Sequence, residues 1–112
     1  MKKIEAIIQP AKLDEIKETL NQINIKGLTI TQVMGCGATK GWTEYYRGSE
    51  VFLNVLPKVM LMIVVPDERV DEIVSAIIKT CRTDHVGDGK IFISNVERAI
   101  RIRSREEGDS VL

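Results

Sequence analysis

Four cations and one glycine turn are the residues of this chain whose types and spacing could do chemistry, and the chemistry they suit is holding an anion. Gly87-Asp88-Gly89-Lys90 sits just before a β-rich run. Glycines let backbone N–H groups approach an anion closely, and Lys90 adds a charge. Alone, the tetrad reads equally well as a tight turn, because Asp-Gly is a common turn pair. It is not a Walker-type phosphate loop, which needs wider spacing and a following helix. Arg101 and Arg103 stand two apart on a stretch, 99–103, that reads as extended. That spacing points both side chains the same way. Paired guanidinium groups suit phosphate oxygens, although charge on a strand edge also serves simply to discourage aggregation. Lys58 lies just inside another strand. Lys58, Lys90, Arg101 and Arg103 together could balance a nucleotide triphosphate, but only the fold can bring them together.

No catalytic constellation is visible. His85 is the one histidine, and it lies in a polar loop without metal-ligand spacing around it. Cys36 and Cys81 read as packing residues rather than nucleophiles. Asp88 could act on a phosphate, but nothing nearby would orient a base. The chain therefore reads as a binding protein and not an enzyme.

Composition narrows the class further. The 112 residues suffice for one domain, 1–112. Lys plus Arg and Asp plus Glu both total 16, which argues against a general nucleic-acid binder. Two cysteines with no CxxC fit a reducing, intracellular setting. Residues 1–9 have no signal-peptide core, and no apolar run approaches the ~18 residues needed to span a bilayer.

The elements that must position these residues follow from periodicity. Residues 1–8 read as a strand. Pro10 opens a helix in which Leu13, Ile16, Leu20 and Ile23 recur at helical spacing, and Gly27 closes that region. Residues 28–34 form a second strand, ended by Gly35-Cys36-Gly37. Residues 59–65 form a third, apolar on both faces. Asp67 is expected to cap a second helix, whose buried stripe is Val70, Ile73, Val74, Ile77, Ile78 and Cys81. Residues 82–90 are a turn-rich loop, 90–96 a fourth strand, and 104–112 a polar tail. Pro10 with Leu13-Asp14-Glu15-Ile16 and Pro66 with Val70-Asp71-Glu72-Ile73 form a faint internal repeat, offset by one residue. The order is α+β, a ferredoxin-like βαββαβ arrangement. Two helices would cover one face of an antiparallel sheet, and other copies of the chain would cover the second face.

Between strands two and three lies a segment, 38–56, with no clear period. Loops beyond ~12–15 residues without internal structure are uncommon in compact domains and tend to be functional or disordered. Four of the five aromatics fall here: Trp42, Tyr45, Tyr46 and Phe52. Aromatics on a loop favour a partner-contact surface over the plainer alternative, a β-hairpin arm packed on a neighbouring subunit.

With these residues in view, the chain resembles the PII signal-transduction family over nearly its whole length. Met1 to Ile8 resembles the family's first strand. Lys40-Gly41, Thr43-Glu44, Tyr46-Arg47-Gly48-Ser49-Glu50 and Leu56-Pro57-Lys58-Val59 resemble its T-loop and the strand after it. Gly87 to Phe92 resembles its B-loop, and Arg101-Ile102-Arg103 its C-loop. The T-loop would span about 37–56, the B-loop 82–90 and the C-loop 101–112. The resemblance implies a homotrimer with ATP or ADP in clefts between subunits. One subunit would contribute Gly35, Gly37, Lys58, Gly87, Asp88, Gly89 and Lys90, and its neighbour Thr29, Arg101 and Arg103. Ile7 and Val64 would line the adenine side. The T-loop, with Trp42, Tyr45, Tyr46, Arg47, Ser49, Glu50 and Phe52, would dock on a regulated protein, a membrane transporter component being the commonest family target.

Departures from the family pattern shape the expected function. Thr39 stands where members sensing 2-oxoglutarate usually have a Mg²⁺-holding glutamine, and Ala38 where an arginine is common. Thr83-Asp84-His85-Val86 carries Asp-His where Gly-Lys is more usual, which puts negative charge beside an anion site. Weak or absent 2-oxoglutarate binding is the expectation. Val51 replaces the uridylylated tyrosine, so control at that position is excluded. Ser49 occupies a position phosphorylated in some relatives. Met60 and Met62 replace a common Lys and Glu, an exchange that suits an apolar subunit contact. The leading expectation is a cytoplasmic energy sensor in which ATP and ADP compete for one site. The alternative is a nitrogen-regulatory protein sensing 2-oxoglutarate with Mg-ATP. An RNA binder on this fold would need several aromatics on the sheet, and only Phe92 qualifies.

Overall fold

The computed structural model describes residues 1–36, 42–46, 49–53 and 55–112. Strand β1 (Lys2–Ile8) runs into a single 3₁₀ turn, Pro10–Lys12, and then helix α1 (Leu13–Gln22). Strand β2 (Thr29–Gly35), a hairpin of β3 (Trp42–Tyr46) and β4 (Ser49–Leu53), and strand β5 (Leu56–Val65) follow. A second 3₁₀ turn, Asp67–Arg69, leads into α2 (Val70–Cys81), and β6 (Lys90–Asn95) completes the sheet. The four long strands pair antiparallel in the order β2-β5-β1-β6. That is the ferredoxin-like order expected from the split βαβ pattern.

The internal repeat is real in the backbone. Lys12 (φ −92°, ψ −4°) and Arg69 (φ −97°, ψ −5°) hold nearly the same conformation where a 3₁₀ turn becomes an α-helix. The one-residue offset is visible too: Pro10 is the first residue of its turn, whereas Pro66 precedes its turn. Asp67 is not the side-chain cap expected of it. Its carboxylate instead lies 3.0 Å from the N-terminal ammonium of Met1. Gly27 does not end α1 either. The helix stops at Gln22, and Asn24 takes the left-handed turn at φ 63°.

The core lies between the helices and one face of the sheet. Ile4, Ala6 and Ile8 of β1 and Val59, Leu61, Ile63 and Val65 of β5 alternate into it. Ile16 and Leu20 of α1 and Ile73, Ile77 and Cys81 of α2 close over them. Ile78 is half exposed and drops out of the expected stripe. Strand β5 is apolar throughout its middle, but only alternate residues are buried. Met60, Met62 and Val64 lie on the opposite, partly open face, beside Lys3, Glu5 and Ile7 of β1 and Phe92 of β6.

Two readings of local structure change. The 38–56 segment is not structureless: β3 and β4 pair with Trp42 opposite Leu53 and Tyr46 opposite Ser49. The extended piece at 99–103 is in fact a tight turn. Ile100 bridges Glu107, the Arg101 N–H donates to the Glu106 carbonyl at 2.8 Å, and 102–104 form the bend. Arg101 and Arg103 therefore do not project side by side from a strand.

Candidate functional site

A cleft of about 350 Å³ opens where the start of β6 meets the near ends of β1, β2 and β5. Its walls are Ile7, Gly35, Cys36, Leu56, Lys58, Val86, Gly87, Gly89, Lys90 and Phe92. Strand pairing explains the convergence. Ile7 lies opposite Lys90 on one side, and Gly35 opposite Leu56 on the other. Lys90 and Phe92 are two apart on β6, so they share the open face.

The glycine turn forms the floor. Gly87 and Gly89 stand at φ 103° and 101°, a region that favours glycine. At Gly89 a Cβ would come 1.6 Å from the Ile7 carbonyl oxygen, so no side chain fits. The Lys58 ammonium donates to the Gly87 carbonyl at 2.7 Å, tying the turn to β5. At Gly35 a Cβ would sit 3.3 Å from the Lys58 stem, so this glycine leaves room for that lysine to cross.

The Asp88 side chain bonds within its own loop and to Gln9. Its carboxylate accepts from the Thr83 N–H at 2.7 Å, the Asp84 N–H at 3.1 Å and the Thr83 hydroxyl. The Gln9 amide adds a further bond at 3.3 Å. The bonds from Thr83 and Asp84, the Thr83 hydroxyl first, hold the Asp88 carboxyl below its usual range. Asp88 thus locks loop 82–90, and Gln9, which sequence reasoning missed, pins that loop to the end of β1. Asp84 sits at φ 65° with its carboxylate paired to Arg82, so part of the negative charge expected to face the site is engaged within the loop.

The remaining candidates lie elsewhere. Val64 does not join Ile7. It is four residues along β5 from Met60, the partner of Ile7, roughly 13 Å away at strand spacing. Val64 and Thr29 instead line a second cavity of about 540 Å³, with Met62, Arg69 and the C-terminal Val111 and Leu112 among its walls. Arg101 and Arg103 line neither cavity. Gly37 and Arg47 lie outside the described residues, as do Ala38 and Thr39. Trp42, Tyr45 and Tyr46 lie on β3, and Ser49, Glu50 and Phe52 on β4.

The cleft was only partly legible. Cys36, Leu56, Val86 and Phe92 escaped the sequence reading, although Phe92 shares strand parity with Lys90. Apolar walls, a backbone turn that excludes side chains and two lysines are a donor set suited to a phosphate carried on an apolar body. Among the described residues no three His, Cys, Asp or Glu side chains converge as a metal site.

Comparison with known proteins agrees with the resemblance. A family model described as nitrogen regulatory protein P-II matches residues 1–106. A nitrogen regulatory protein P-II of Haemophilus influenzae is 56% identical over 112 residues, covering 100% of both chains. The nitrogen regulatory protein P-II of Rhodobacter capsulatus is 52% identical and the nitrogen regulatory protein P-II 1 of Escherichia coli 53% identical, both over 100% of each chain.

Proposed function

Because the chain belongs to the nitrogen regulatory P-II family, we propose that it is a homotrimeric nitrogen-regulatory protein that binds ATP or ADP between subunits and signals to a partner protein through the β3–β4 hairpin. Members of this family are regulators that act on partner proteins. The observation that carries the reading is the division of candidate residues on one chain. The Gly87–Lys90 cleft and the Thr29–Val64 cavity are separate places on the sheet's ends. Each has the character of half a site. A neighbouring copy laid on the open sheet face would supply the missing half, including Arg101 and Arg103.

In this arrangement Lys58 and Gly35 fix the turn, the Gly87–Gly89 backbone wraps phosphates and Lys90 neutralises them. Ile7 and Phe92 offer an apolar wall to the base. Val64 and Thr29 act from the adjacent subunit, which revises the expectation that Val64 stands with Ile7. A bound adenine nucleotide supplies the charge that pulls the cations of two chains together. ATP and ADP differ at the γ-phosphate, and a ligand shifts a loop's equilibrium only through such differential affinity.

The relatives are named for nitrogen regulation, so that reading stands before reporting of energy state alone. Thr39 in place of the Mg²⁺-holding glutamine then weakens 2-oxoglutarate binding without removing nucleotide binding. The partner, whether a membrane transporter component or its regulator, meets Trp42, Tyr45, Tyr46, Arg47, Ser49, Glu50 and Phe52. No described helix is long and apolar enough to cross a membrane, which suits a cytoplasmic regulator recruited to its target.

Calorimetric titration of ATP and ADP, alongside light scattering for assembly state, tests the proposal. The expected result is a trimer with one nucleotide per chain, and binding lost in Lys90→Ala. A monomer, or a trimer indifferent to both nucleotides, would contradict it.

A further inference from the structure

The turn that carries Arg101 also carries an acid aimed at it. The Arg101 Nη1 donates to the Glu106 Oε2 at 3.2 Å. Backbone bonds hold the two residues opposite each other: the Arg101 N–H to the Glu106 carbonyl at 2.8 Å, and the Arg105 N–H to the Arg101 carbonyl at 2.8 Å. The Ile100–Glu107 bridge continues the pairing outward. A second pair, Arg98–Glu107, sits one step along the same hairpin.

The two pairs differ in kind. Glu107 Oε1 accepts from two nitrogens of Arg98, at 2.9 and 2.8 Å. Among the described residues, Glu106 meets Arg101 through one nitrogen, and the other Arg101 side-chain donors have no protein partner. Both partners are well exposed, 37% for Arg101 and 59% for Glu106, so water screens the contact and it yields readily. The Arg98 pair is as exposed, at 68% and 47%, but two of its nitrogens meet the carboxylate. The Arg101 pair is held by one.

We propose that Glu106 is a built-in competitor for the Arg101 guanidinium, displaced by the polyphosphate of a bound nucleotide. This rests on the reading that Arg101 holds phosphate. A carboxylate occupies the donor until a more highly charged anion arrives, and then swings into solvent. The nucleotide must outcompete an internal acid, so the pair lowers the affinity of a ligand whose phosphates reach Arg101 and spares one too short to reach it.

The test is calorimetry of ATP and AMP binding to the full-length protein, with assembly state checked for each variant. Glu106→Gln keeps the shape and removes the charge, and Glu106→Ala serves as its second form. Either is expected to raise ATP affinity about two- to fivefold, the range an exposed ion pair commands, and to raise AMP affinity less. Glu107→Gln is expected to leave affinity unchanged, because Arg98 is not a ligand. In an Arg101→Ala background, Glu106→Gln should gain nothing. If Arg101→Ala weakens ATP binding but neither Glu106 variant strengthens it, the competitor role is overturned while the nucleotide site stands. If Arg101→Ala leaves ATP binding intact, the assignment of Arg101 to phosphate fails and the competitor role falls with it.

Discussion

At Gly89 the backbone stands at φ 101°, with the Ile7 carbonyl where a side chain would go. Gly89→Ala should therefore cost at least about 2 kcal/mol of stability and abolish nucleotide binding, both readable from denaturant melts and calorimetry. Asp88 offers a pH test. Hydrogen bonds hold its folded pKa below the ordinary carboxylate value of about 4. Its contribution is thus present above that value and is lost as pH falls through the lowered one. Asp88→Asn should melt below wild type at pH 7, and the gap should close as the pH falls through the lowered pKa. A gap that persists in acid would contradict the bonding described. The glycines and lysines were legible because the tetrad limits its own backbone. The role of Asp88 was not, since one carboxylate can serve a ligand or its own loop and only the donors around it decide. Arg101 and Arg103 were misread for a similar reason: spacing two implies a shared direction only on a strand.

Among the elements, α1, α2 and the four long strands were legible because their apolar residues repeat with the period of the structure they form. The β3–β4 hairpin stood only as the second of two readings of its segment. Trp42 to Tyr46 and Ser49 to Leu53 are rich in β-formers yet lack the apolar–polar alternation that a half-buried strand leaves in sequence. A two-stranded ribbon of this kind is marginal by itself, which suits an arm that adapts to a partner. Gly35 and Leu56 pair directly across β2 and β5, so removing 42–53 leaves their junction short and natural. That deletion should change stability by about 1 kcal/mol or less, keep ATP binding and lose partner capture. Loss of ATP binding together with the hairpin would place the hairpin in the site itself. Thr39→Gln should strengthen 2-oxoglutarate binding in the presence of Mg-ATP. Micromolar binding already in the wild type would refute the weakening attributed to Thr39.

For the whole molecule, the open face of the sheet governs the account. Met60, Met62, Val64 and Ile7 are only partly covered, and Phe92 is 56% exposed. A face of this kind calls for a second surface, and closed cyclic symmetry lets identical chains provide it. The same packing would bring a Gly87 cleft against a neighbour's C-terminal turn. Subunit complementation measures this most directly. Lys90→Ala chains and Arg101→Ala, Arg103→Ala chains are each expected to bind no ATP as pure trimers. When the two are unfolded, mixed equally and refolded, about a quarter of all clefts, or about one in three of those in mixed trimers, should regain both intact halves, and ATP binding should return in that proportion. No return of binding after verified mixing would contradict a site built from two chains.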